Sequence, residues 1–113
     1  MEKPEMTPTV ELMTLRDDPS IMEYMTIIIN AYCERHKDSK SLIKCIIGEA
    51  VCYRSNPHQI MKVFRSTENP FVIRAIAKEL TGIEDGNAAC RELLGHAEMH
   101  RVSKGRWNRL AGI

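Results

Sequence analysis

The stretch AACRELLGHAEMHRVSKGRWNRL, residues 88–110, decides how the fold of this 113-residue chain is interpreted. Small residues and two leucines in its first half suit a short helix that faces a core, and Gly95 follows where a left-handed residue would end that helix. Apolar residues then recur at helical spacing in its second half, at Met99, Val102 and Leu110. The pattern predicts a helix-turn-helix-like pair over residues 87–110.

The expected outward face of the second helix carries the side chains that proteins use to recognise duplex DNA. Arginine and lysine reach phosphates and guanine edges, and asparagine contacts adenine edges. No acidic residue follows Glu98, whereas four cationic residues do. The residues predicted to contact DNA are His100, Arg101, Ser103, Lys104, Arg106, Asn108 and Arg109.

Two features of the same stretch favour a different interpretation. The turn would be one residue longer than in the common motif, and Gly105 inside the second helix costs roughly 1 kcal/mol relative to alanine. The alternative is an amphipathic C-terminal helix that caps a bundle and contacts no nucleic acid.

Composition predicts one all-α domain over residues 1–113. A chain of this length buries roughly 65% of its unfolded surface, which is enough for a core without metals or disulfides. Only 5% of the residues are aromatic, and the abundant Leu, Ile, Met and Ala suit packed helices better than a sheet. No apolar run approaches the roughly 20 residues of a membrane span, so we expect a soluble, cytoplasmic protein without membrane contact.

Prolines preceded by capping residues predict where helices begin. Asp18-Pro19, Asn56-Pro57 and Asn69-Pro70 all show this pattern. Helices are expected over residues 20–36, 40–54, 57–65 and 71–81, with Gly82 ending the last. Residues 9–18 favour a helix weakly, and residues 1–8 form a loose tail. The prediction is a compact bundle of five to six short helices with the helix-turn-helix-like pair at its C-terminal end.

The helix over residues 20–36 is apolar around more of its circumference than one packing partner requires. Three consecutive isoleucines, residues 27–29, spread side chains over most of it. We therefore expect residues 19–81 to form both the helical core and a dimer interface. The interface residues predicted are Met22, Met25, Ile28, Ile29 and Tyr32.

The chain lacks the motifs of common enzymes and metal sites. There is no P-loop, no GxGxxG and no HExxH sequence, so we expect no catalytic activity and no cofactor. The four cysteines, Cys33, Cys45, Cys52 and Cys90, include no CxxC pair and suit core packing. His96 and His100 have the spacing of a helical metal chelate, but further ligands are not apparent, so no metal site is predicted.

Charge is distributed unevenly although the net charge is only +1. Residues 1–20 contain five acidic and two basic residues, whereas the segment after Glu98 is exclusively basic. This polarity suits a small module that meets phosphate at one end only.

In length, helical pattern and segment order, the chain resembles the FlhD-like small subunits of the bacterial flagellar master transcriptional activator, including relatives on conjugative elements. The likeness lies in KDSKSLIKCIIG (37–48), QIMKVFRSTENPFVIR (59–74) and RVSKGR (101–106). The resemblance implies a metal-free subunit that dimerises through its N-terminal helices. It also implies a larger zinc-containing regulator subunit as partner, in a hetero-oligomer that binds promoter DNA and recruits RNA polymerase.

The sequence therefore predicts a DNA-binding transcriptional regulator, an activator subunit whose partners are double-stranded DNA, a second copy, the larger subunit and RNA polymerase. One alternative is a phage- or plasmid-encoded helical interaction module that binds a host enzyme and contacts no nucleic acid. Another is a homodimer that represses without any partner.

Overall fold

A computed structural model describes residues 7–37 and 56–110 of the chain, with side chains described up to residue 105. Within these ranges all regular structure is helical, which confirms the all-α prediction. The helices are α1 (Pro8–Thr14), α2 (Pro19–Arg35), α3 (Pro57–Ser66), α4 (Pro70–Thr81) and α5 (Gly86–Leu110), and a 3₁₀ turn (Leu15–Asp17) joins α1 to α2. The helix predicted over residues 40–54, Cys45, Cys52 and most of the predicted tail lie outside the described residues.

Capping side chains start three of these helices where the sequence predicts. The carboxylate of Asp18 accepts a hydrogen bond from the backbone N–H of Ser20, and the amide oxygens of Asn56 and Asn69 accept in the same way at α3 and α4. Each cap is followed by a proline at the first helical position. Proline lacks an N–H, and an N–H at this position would have no hydrogen-bond partner within the helix, so no hydrogen bond is lost.

Helix α4 ends at Gly82, as predicted. Gly82 has φ +75°, which only glycine adopts without steric cost, and its N–H donates to the carbonyl of Lys78 at 2.8 Å. The turn after it leads directly into α5.

The prediction of a break at Gly95 is wrong, because α5 is one continuous helix of 25 residues. Glycine lowers helix propensity by about 1 kcal/mol without forbidding the helical conformation. Buried side chains on both sides of Gly95 hold the helix in one register, namely Ala89, Cys90, Leu93 and Ala97. Residues 87–110 are therefore not a helix-turn-helix pair, and the bundle does not consist of short helices only.

The core lies between α5 and helices α1, α2 and α4, and α3 packs on α2 and α4. The small residues Ala89 and Cys90 are fully buried, which allows α4 and α1 to pack closely against α5. Helix α2 packs against later turns of α5. The largest buried side chains are Leu12, Ile21, Met25, Ile29, Ile60, Phe64, Ile73, Ile76 and Leu93.

The predicted dimer interface on α2 is corrected by the same burial. Met25, Ile29 and Tyr32 are buried within the core of their own chain, and Met22 and Ile28 are partly buried against it. The hydroxyl of Tyr32 donates to Glu79 on α4, and burial together with this carboxylate raises the pKa of Tyr32 to about 12. Met25, Ile29 and Tyr32 therefore join helices of one chain and are not available to a second copy, whereas for Met22 and Ile28 the interface stays a prediction.

We expect Gly95→Ala to raise the free energy of unfolding by roughly 1 kcal/mol, because alanine favours the helix and its Cβ would meet nothing within 4 Å. Gly82→Ala should instead lower it by roughly 1–2 kcal/mol, because φ +75° is strained for alanine. Chemical denaturation of both variants measures the difference. Destabilisation by Gly95→Ala comparable to that by Gly82→Ala would contradict the continuous helix.

Candidate functional site

The residues predicted to contact DNA lie in the C-terminal part of α5. Arg101, Ser103 and Lys104 are exposed, and His100 is half-buried. Arg106, Asn108 and Arg109 continue the same helix, but the structure describes only their backbone. The structure therefore places four of the seven predicted side chains.

Two of the predicted DNA-contact cations pair with carboxylates at the N-terminal end of α2. The guanidinium of Arg101 contacts Asp18, the capping residue of α2, and lies 3.3 Å from Glu98. The ammonium of Lys104 donates to Glu23 at 2.6 Å. A phosphate would have to compete with these carboxylates, so the two cations are weaker candidates for DNA contact than their charge suggests.

Histidine and tyrosine side chains continue this contact between α2 and α5. Nε2 of His100 lies 3.4 Å from Oε1 of Glu23 and has no hydrogen-bond partner within the described part of the chain. The hydroxyl of Tyr24 lies 3.1 Å from Nδ1 of His96, whose Nε2 lies 2.8 Å from Glu92. We call this set the α2–α5 seam, formed by Asp18, Glu23, Tyr24, His96, His100, Arg101 and Lys104.

The seam perturbs the ionisation of its members. The hydrogen bond from Lys104 lowers the pKa of Glu23 below the ordinary 4.5, and His100 acts in the same direction, whereas partial desolvation opposes them. Burial raises the pKa of Tyr24, and the charge of Glu92 adds to that effect. Glu23 is therefore ionised at neutral pH and binds the end of α5 to α2.

The opposite side of α5 exposes the apolar stripe that the sequence pattern places inward. Met99 is 67% exposed and Val102 is 52% exposed. The buried face that begins with Leu93 and Ala97 continues, at helical spacing, to His100 and Lys104, so residues 99 and 102 turn away from the bundle. We call Gly95, Met99 and Val102 the outward face of α5.

The sequence pattern does not predict this face, because a turn at Gly95 would let the second helix bury a different set of residues from the one that continues the buried face of the first. The spacing of Leu93, Ala97, His100 and Lys104 carries the correct signal, since it continues one face without interruption. The polar character of His100 and Lys104 hides that signal, because polar residues are usually exposed.

Other helices carry cations that pair with no carboxylate in the described ranges. Lys62 and Arg65 on α3, with His58, border a groove of about 590 Å³ whose opposite wall includes Thr26 and Asn30 of α2. On α4, Phe71 is 61% exposed, and the guanidinium carbon of Arg74 lies 4.5 Å from the centre of its ring. None of these residues belongs to the DNA-contact segment or the dimer interface that the sequence predicts.

The described residues include no group of side chains arranged for metal binding. Within them, no three His, Cys, Asp or Glu side chains are placed to share a metal ion. Cys90 is buried beside Thr9, and burial raises the pKa of its thiol, which keeps it protonated and unreactive. No helix in the same ranges combines the length and apolar character needed to cross a bilayer.

Comparison with known proteins identifies no relative, since no protein-family model, no curated protein and no solved structure matches the chain. The resemblance to FlhD-like subunits therefore stays a prediction, and function must be argued from the surfaces of the molecule.

We expect the stability of the chain to fall in acid partly through Glu23. Because folding lowers the pKa of Glu23, its ionised carboxylate stabilises the folded chain at every pH above the pKa of the unfolded state. That contribution is lost as the pH falls through the pKa of the folded state, which lies below 4.5. Glu23→Gln should be less stable than the parent chain at neutral pH, and the difference should disappear in acid.

Denaturation midpoints of both chains across the acid range measure this effect. Glu34→Gln is the matched control, because Glu34 is exposed on the same helix and, among the described residues, pairs with its neighbour Lys37. A Glu23→Gln chain that keeps the full difference in acid would show that the seam does not contribute as described.

Proposed function

We propose that this chain is a helical protein-interaction module that binds another protein through the outward face of α5. The observation that carries the proposal is the exposure of Met99 and Val102, 67% and 52%, side by side on a rigid helix. The other face of this helix is fixed to the bundle, so the exposed face is presented in one orientation.

Physical chemistry supports this function for such a face. Burying a side chain like Met or Val against a partner contributes about 1.5–3 kcal/mol. Methionine is unbranched and adapts to irregular surfaces, which is why it is common at binding faces. Residues three apart lie next to each other on a helix, so Met99 and Val102 form one contact for a neighbouring helix or groove.

The pairing of nearby cations supports a protein partner over nucleic acid at this site. Arg101 and Lys104 neutralise Asp18 and Glu23 of their own chain. Their role in the seam is to fix the C-terminal part of α5 on α2, which keeps Met99 and Val102 exposed. In this proposal the predicted DNA-contact residues stabilise the binding surface instead of forming it.

The second candidate function is a DNA-binding transcriptional regulator, an activator subunit that works with a larger zinc-containing subunit and RNA polymerase at promoters. It is supported by the segment after Glu98, which has four cationic residues and no acidic one. In this candidate, Arg106 and Arg109 add to Arg101 and Lys104 in contacting phosphates.

A photo-crosslinking amino acid placed at position 99 tests the first proposal in cells. We expect a protein adduct at position 99 and none at position 10, where Val10 is 43% exposed on α1 and serves as the control. The adduct partner is then purified and its affinity for the chain measured directly.

Met99→Asp should weaken the binding of that purified partner at least tenfold, because it removes an apolar contact of about 1.5–3 kcal/mol. Val10→Asp should leave the affinity unchanged. Equal affinity of the Met99→Asp variant and the parent chain would exclude the outward face as the binding site.

Salt dependence tests the second candidate. If residues 100–109 bind DNA, affinity for a duplex should fall steeply with salt, and Arg101→Ala with Lys104→Ala should reduce the slope by about 0.9 for each phosphate that is no longer neutralised. Fluorescence anisotropy with a labelled duplex measures both slopes. An unchanged slope in this variant would exclude these two residues from DNA contact.

A further inference from the structure

Helices α3 and α4 are joined by only three residues, 67–69. Thr67 is buried, its N–H donates to the carbonyl of Val63, and its hydroxyl accepts from the N–H of Asn69. The guanidinium of Arg16 donates to the carbonyls of Phe64 and Thr67 at 2.6 and 2.8 Å. This corner is therefore fixed from outside as well as from within.

The outward faces of both helices are basic. On α3, the residues outside the buried Ile60 and Phe64 include His58, Lys62 and Arg65, all exposed. On α4, Phe71 and Lys78 are exposed, whereas Arg74 and Ala75 are half-buried, with the side chain of Arg74 against Gly86 at the start of α5. Residues 57–81, which span α3 and α4, contain two acidic residues, Glu68 between the helices and Glu79, which accepts a hydrogen bond from Tyr32 of α2.

These cations differ from Arg101 and Lys104 of α5 in having no carboxylate partner among the described residues. Within the described residues, Lys62, Arg65, Arg74 and Lys78 form no ion pair, whereas Arg101 and Lys104 each form one or more. An unpaired surface cation can bind phosphate and release the phosphate's counterions without first leaving a carboxylate. The α3–α4 pair is thus better suited to polyanion contact than the C-terminal part of α5.

We propose that the α3–α4 pair binds the backbone of double-stranded DNA. Two helices joined by a short turn are the arrangement by which many proteins place a second helix in the major groove. In that arrangement α4 enters the major groove with its exposed residues Phe71 and Lys78, and the ring of Phe71 suits thymine methyl groups. Lys62 and Arg65 of α3 contact phosphates. Thr26 and Asn30, on the α2 side of the groove between α2 and α3, supply further hydrogen bonds to the DNA backbone.

Duplex DNA fits these observations better than an acidic peptide does. The cations are spread along two helices instead of converging on one point, as a repeating backbone of phosphates requires. The site is separate from the outward face of α5, so this surface adds a second binding activity to the proposed interaction module.

Fluorescence anisotropy of the full chain with a short labelled duplex, over a series of salt concentrations, tests the proposal. We expect binding at low salt, and Lys62→Ala with Arg65→Ala should reduce the salt slope by about 0.9 for each phosphate that these cations neutralise. Lys37→Ala with Arg91→Ala removes the same charge from exposed positions elsewhere and should leave the slope unchanged. Circular dichroism verifies that both variants fold.

Several results would overturn this inference. One is absence of duplex binding by the full chain at low salt. A second is a salt slope that falls equally in the control variant, or that falls only when Arg101 and Lys104 are replaced. A third is tighter binding of poly-glutamate or duplex RNA than of duplex DNA. None of these results affects the Met99→Asp measurement, so the two proposals fail independently.

Discussion

The burial of one face of α5 is the constraint on which the rest of the structure depends. Ala89 and Cys90 are small and fully buried, and Leu93 and Ala97 continue their face toward the centre of the helix. The hydroxyl of Thr9 on α1 donates to Asn87 at 3.0 Å and lies 3.7 Å from the sulfur of Cys90. Because helices α1, α2 and α4 all pack on this face, its rotation is fixed by many close contacts.

That rotation decides which residues of α5 are available to partners. His100 and Lys104 lie two helical turns beyond Leu93 and Ala97, so these two polar residues continue the inner face and reach the carboxylate of Glu23. Met99 and Val102 then necessarily face away from the bundle. A single continuous helix thus explains both the paired cations and the exposed apolar residues. The sequence pattern alone predicts the opposite, with the cations exposed and the apolar residues buried.

The parts of the fold that were predictable are those that depend on local chemistry. An acceptor side chain followed by proline starts a helix wherever it occurs, and all three such starts are present. Gly82 and Gly95 could not be told apart in this way, since tertiary packing decides whether a glycine ends a helix or lies within one. The apolar residues of α2 show the same limit, because a periodic pattern does not reveal whether a contact lies within one chain or between two. The ion pair of Arg101 with Asp18 could not be predicted either. The two residues are 83 positions apart in the sequence, and only the tertiary fold brings them together.

The placement of carboxylates explains how a chain with net charge of only +1 keeps cations on α3 and α4 that pair with no carboxylate of the described residues. Asp18, Glu23 and Glu98 are in contact with cations of α5 and neutralise them locally. Helices α3 and α4 have few acidic residues, and their cations stay unpaired within the described part of the chain. Net charge therefore underestimates the local field at α3 and α4, because attraction of a polyanion over a Debye length of about 8–10 Å depends on nearby charges and not on the total.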